Sequence, residues 1–101
     1  VIPCYRVESR IAAVLRGIPP WVDIVVAVDD ASPDGTGRVL ASCTDPRLRV
    51  VTHDRNRGVG GAMQTGFAEA IRLGAQVLVK LDGDGQMDPA CMSPLVKPLV
   101  E

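Results

Sequence analysis

The chain has 101 residues, with 11 Lys and Arg against 12 Asp and Glu, one His, 47% apolar residues and 23% charged. The length fits one domain, and the composition excludes a disordered chain, a collagen-like repeat and a disulfide-stapled miniprotein. A formal net charge of −1 argues against broad electrostatic capture of nucleic acid or of an anionic membrane, and three aromatics (Tyr5, Trp21 and Phe67) are too few for a base-stacking platform.

Apolar β-branched runs alternate with segments of helical period. Val1 to Pro3 reads as a strand without its beginning. Ile11, Val14, Leu15 and Ile18 follow the helical i, i+3, i+4, i+7 spacing, closed by Gly17 and Pro19-Pro20. Asp23 to Asp29 is a continuous Ile/Val run, as expected of a strand covered on both faces. Ser32-Pro33-Asp34-Gly35 predicts a turn, and a short helix carrying Val39, Leu40 and Cys43 follows. Leu48 to Thr52 predicts a third strand.

Gly58 to Gly61 opens a helix with the stripe Ala62, Met63, Gly66, Phe67, Ala70 and Ile71, and Gly74 ends it. Gln76 to Leu81 predicts a fourth strand. Asp88-Pro89 suits an N-cap and first turn, while Pro94 and Pro98 break the apolar pattern that follows. This alternation implies right-handed βαβ crossovers and a parallel sheet between helices. Four such strands form half of a doubly wound α/β domain.

No apolar run approaches the roughly 20 residues that span a bilayer, so the chain is expected to be soluble, with no membrane segment. Cys4, Cys43 and Cys91 lack CxxC spacing and read as small buried residues of a reducing compartment. The chain opens inside a strand pattern and closes on Glu101 after a helical one, so it reads as a piece of a longer protein.

The carboxylates carry the functional signal. Asp29 and Asp30 end the second predicted strand, and Asp82 and Asp84 end the fourth. In an open α/β sheet ligands bind outside the carboxyl ends of the strands. Two acidic clusters there repel each other unless a cation or ribose hydroxyls bind. In Asp82-Gly83-Asp84-Gly85-Gln86, oxygens two residues apart can converge on one hard cation while the glycines let the backbone turn. An EF-hand is not supported, because Ser93 stands where its bidentate Glu belongs. Asp29 suits a ribose or base contact, whereas Asp34 suits a helix cap. Asn56-Arg57-Gly58-Val59-Gly60-Gly61-Ala62 could cradle a phosphate. It fails the dinucleotide fingerprint, though, and close helix-to-sheet packing explains its glycines better.

In this order, five segments resemble glycosyltransferase family 2 of the GT-A fold, nearest to the branch acting on dolichyl or polyprenyl phosphates. They are Ile2-Pro3-Cys4-Tyr5, Val28-Asp29-Asp30-Ala31-Ser32-Pro33-Asp34-Gly35-Thr36, Asn56 to Ala62, Thr65-Gly66 and Asp82 to Pro89. The resemblance implies a Rossmann-like GT-A half with a mostly parallel four-stranded sheet. Residues 1–101 would be the truncated, donor-binding amino-terminal part of a single domain. It further implies an inverting transferase that takes a UDP- or GDP-sugar and passes the sugar to a lipid phosphate or glycan.

By that resemblance Pro3 and Tyr5 lie along the base, Asp29 meets base or ribose, and Asp82 and Gly83 sit near the ribose. Asp82, Asp84 and Gln86 hold Mg2+ or Mn2+. Glu8 is a further nucleoside contact, although Tyr5-Arg6-Val7-Glu8 departs from the family's spacing. The general base is expected beyond Glu101, and the setting is cytoplasmic, with the full-length parent at the cytoplasmic face of a membrane. Two alternatives stand beside this. One is a non-catalytic nucleotide-sugar-binding module. The other is a phospho-receiver-like domain using Asp29, Asp30, Asp82 and Lys80.

Overall fold

The computed structural model describes residues 1–75 and 78–80. Six elements follow in the predicted alternation: β1 (Ile2–Cys4), α1 (Ile11–Arg16), β2 (Val25–Asp29), α2 (Thr36–Ser42), β3 (Leu48–Thr52) and α3 (Gly58–Arg72). The strands pair in parallel in the order β1-β2-β3. Cys4 lies opposite Asp29, and Asp29 opposite Thr52, so all three strands end level. The loops that follow them therefore leave from one edge of the sheet.

β2 is buried at all five positions, as its unbroken apolar run predicts for a strand with a neighbour on each side and a helix layer on each face. Its side chains alternate between those faces. Val25 and Ala27 join Ile2, Ile11, Leu15, Ile18 and Leu40 in the cluster with α1 and α2. Val26 and Val28 meet Ala62 and Ala70 of α3. Gly66 lets α3 lie close, because a Cβ there would run into the Val1 side chain and come within 3.2 Å of Val28. The carboxyl end of α3 closes in a Schellman turn. Gly74 has φ 90° and donates to Ile71, while Ala75 donates to Ala70 at 3.0 Å.

Two expectations change, and a third lies partly outside the described residues. β2 starts at Val25 and not at Asp23, which is exposed. Ile71 is 62% exposed. The buried line of α3 runs through Ala62, Gly66 and Ala70, and Ile71 stands roughly 100° round the helix from Ala70. The described residues form three strands where the sequence predicts four, since Gln76, Val77 and Leu81 of the fourth lie outside them. Residues 78–80 nevertheless meet the amino end of the chain and the core. The Val79 carbonyl accepts the Val1 nitrogen at 2.8 Å, and Leu78 and Val79 pack on opposite faces, as successive strand residues do. No helix among the described residues is long and apolar enough to cross a membrane.

Candidate functional site

Residues 5–10, 30–35 and 53–57 leave the level carboxyl ends of β1, β2 and β3, the edge at which an open α/β sheet holds its ligand crevice. Asp29, the last residue of β2, is 5% exposed at that edge. Its Oδ1 accepts the Ser32 amide at 3.0 Å. Its Oδ2 lies 2.7 Å from where a Cβ on Gly37 would stand. Glycine at 37 thus admits the first turn of α2 against the carboxylate and brings the positive end of that helix towards it.

The β1 and β2 loops are stapled together. The Ser32 hydroxyl accepts the Arg6 amide at 3.2 Å and donates to the Cys4 carbonyl at 3.5 Å. The Thr36 hydroxyl accepts the Val7 amide at 3.0 Å and donates to Asp34 Oδ1 at 2.6 Å. Glu8 Oε1 accepts the Gly35 amide at 2.9 Å. Two non-glycine residues sit in the left-handed region here, Arg6 at φ 55° and Ala31 at φ 57°. Each such conformation costs about 1–3 kcal/mol and persists where surrounding bonds over-determine it.

Asp34 stands one residue before Gly35, the N-cap of α2, and still bonds the first turn of that helix. It accepts the Thr36 amide at 3.1 Å, and the Thr36 hydroxyl holds its carboxyl below the ordinary value. Burial, aided by the nearby Asp29 charge, pushes the Cys4 thiol up to about 12, so it carries no thiolate at neutral pH.

Asp30 differs from Asp29 in being fully engaged. It is 3% exposed, and its Oδ1 accepts the Arg57 amide at 2.7 Å and His53 Nδ1 at 2.9 Å. Burial alone would raise its carboxyl. The bonds from His53 and from the Arg57 and Gly58 amides outweigh that and hold it below the ordinary value.

Of the expected site residues, Pro3, Tyr5, Glu8 and Asp29 fall together at the ends of β1 and β2. Tyr5 is 44% exposed, with the Arg6 guanidinium carbon 5.7 Å from its ring centre. Asp82, Gly83, Asp84 and Gln86 lie outside the described residues. Among the described residues, Gly58 and Gly60 have no neighbour within 4 Å of a Cβ position, whereas Gly66 packs closely on the sheet. Ser32, Thr36, Gly37, His53 and Thr65 were missed by sequence reasoning, because their partners are non-local. A separate groove of about 530 Å³ between α1 and α2, lined by Ala12, Leu15, Val39 and Cys43, shares none of these residues.

The parallel sheet, covered by helices on both faces and carrying Asp29 and Asp30 at the carboxyl end of its central strand, is an α/β architecture of the GT-A type. S. aureus TarS (residues 1–349) shares that fold, with a TM-score of 0.68 and 20% identity over 93% of this chain and 29% of that one. The chain belongs to glycosyl transferase family 2, whose model matches residues 1–101. It is 29% identical, over 99% of its length, to the UDP-N-acetylglucosamine–dolichyl-phosphate N-acetylglucosaminyltransferase of Methanococcus voltae. It is 39% identical, over 88% of its length, to the undecaprenyl-phosphate mannosyltransferase of Micrococcus luteus. The chain spans only 46% and 38% of those two relatives.

Proposed function

We propose that the chain is the donor-binding part of an inverting glycosyltransferase, which takes a nucleotide-diphosphate sugar and passes the sugar to a polyprenyl phosphate. The observation that carries this reading is the buried Asp29 carboxylate at the end of β2, in a chain whose whole length matches the family. Two relatives are named for dolichyl and undecaprenyl phosphates, which favours a lipid-phosphate acceptor over a glycan. In this reading the full-length protein works at the cytoplasmic face of a membrane.

Pro3 and Tyr5 line the base, and Asp29 accepts a base N–H or a ribose hydroxyl. Glu8, with one oxygen on Gly35, offers the other to the nucleoside. Asp82 and Gly83 lie beside the ribose and diphosphate. No described group of three His, Cys, Asp or Glu could hold a metal, and Asp30 is already engaged by His53 and Arg57. The hard oxygens of Asp82, Asp84 and Gln86 suit Mg2+ or Mn2+. When bound, the cation supplies charge neutralisation for the departing nucleoside diphosphate.

The chain's own residues bind and orient. Ser32 and Gly37 fix the Asp29 carboxylate, and the stapled loops hold Tyr5 beside it. A phosphate acceptor is already anionic and needs no general base within this segment. The test is sugar transfer by the full-length protein from UDP-glucose or GDP-mannose to undecaprenyl phosphate in the presence of Mn2+. Asp84→Asn is expected to lower turnover by about 100-fold or more. Turnover unaffected by both Asp84→Asn and chelation would sink the metal assignment.

A further inference from the structure

We propose that His53 is a positioning residue for this crevice: its imidazole, gripped between Asp30 and Thr65, fixes the 54–58 loop and the end of β2 so that Asp29 keeps its place. The inference rests on reading the crevice as a nucleotide-sugar site. His53 follows β3 directly and is 6% exposed. It touches three elements at once. Its backbone amide donates to the Asp29 carbonyl at 2.9 Å. Its Nδ1 meets Asp30 Oδ1 at 2.9 Å, and its Nε2 meets the Thr65 hydroxyl of α3 at 2.8 Å.

Asp30 in turn holds the loop. Its carboxylate accepts the Arg57 amide at 2.7 Å, and its carbonyl accepts Asn56 Nδ2 at 3.3 Å. Asn56 Oδ1 accepts the Gly58 amide at 3.0 Å, which passes the restraint to the start of α3. The bonding also sets which atom faces Asp30 with a proton. An ionised Asp30 only accepts, so Nδ1 carries a proton, and Nε2 pairs with the Thr65 hydroxyl, which can both donate and accept. Without the ring, a buried carboxylate loses a donor directly beside the residue that reads the ligand.

Two substitutions separate the ring's two bonds. Asparagine places its amide nitrogen near the Nδ1 position and can still donate to Asp30. Glutamine reaches the Nε2 position and Thr65 but gives up Asp30. The experiment is calorimetric titration of the full-length protein with UDP-glucose and GDP-mannose, paired with hydrogen exchange at the Arg57 amide. For His53→Gln and His53→Ala, donor binding is expected to weaken about tenfold or more, with faster Arg57 exchange. His53→Asn is expected to stay within about threefold of wild type in both readouts.

Donor affinity at the wild-type level in folded His53→Gln and His53→Ala, with only the melting temperature lowered, would overturn the proposal. So would His53→Asn failing as badly as His53→Gln. Wild-type protein that binds neither donor overturns the nucleotide-sugar reading, and the crevice role with it. In that case faster Arg57 exchange in His53→Gln still upholds the clamp, and unchanged exchange rejects it.

Discussion

The two faces of the sheet are built from different chemistry. The face against α1 and α2 is packed with large aliphatic side chains, Ile2, Ile11, Leu15 and Leu40 among them. The face against α3 is packed with small ones, Ala62, Gly66 and Ala70 on Val26 and Val28, and carries the His53 clamp at its carboxyl end. Large side chains contribute burial energy, roughly in proportion to the area they remove from water. Small ones contribute distance: they bring α3 near enough for Thr65 to reach the histidine that follows β3. One face holds the fold together, and the other sets the geometry of the crevice.

The contrast can be broken by volume changes. Leu40→Ala, at a fully buried position on the aliphatic face, is expected to cost about 2–5 kcal/mol in urea unfolding. A loss below about 1 kcal/mol would mean that this face is not close-packed. On the other face the damaging change is a gain of volume. Gly66→Ala is expected to cost about 1–3 kcal/mol, although alanine favours helices by up to about 1 kcal/mol, because its Cβ meets Val1 and Val28. Gly60→Ala, in the same helix and with no described neighbour within 4 Å of its Cβ position, is expected to be neutral or to stabilise by up to about 1 kcal/mol. Equal effects at the two glycines would dissolve the distinction.

The smallest expected effect is on the pH dependence. The Asp30 carboxyl is held below 3.8 in the folded chain, so the unfolded chain takes up this proton first as the pH falls. Its contribution is complete above about pH 5 and is lost as the pH drops through 3.8 to the folded value. The urea midpoint is expected to fall over that window, and to fall less in Asp30→Asn. An identical slope in the variant would remove Asp30 from the account.

Much of the scaffold was legible because its signals are local. The run at Leu48 to Thr52 marks β3 with both ends correct, and Ile11, Val14 and Leu15 mark α1 by spacing alone. Asp29 was legible because a carboxylate at the end of a buried run belongs on the sheet's carboxyl edge. The clamp was not, since Asp30, His53 and Thr65 are distant in sequence and meet only once α3 packs on the sheet. A trace existed in Thr65, a polar residue three positions after buried Ala62 and next to buried Gly66, on the face that turns to the sheet. The glycines at 58 and 60 misled for the converse reason, since composition does not say which glycine meets a neighbour.

The central claim is that Asp29 stands at the floor of a nucleotide-sugar site. The most direct test is calorimetric titration of the full-length protein and its Asp29→Asn variant with UDP-glucose and GDP-mannose, with and without Mn2+. The account predicts that one donor binds, more tightly with metal, and that Asp29→Asn weakens it at least about tenfold, the loss expected for one charge-assisted hydrogen bond. Folded protein that binds neither donor, or an Asp29→Asn variant that binds as tightly as wild type, would contradict it.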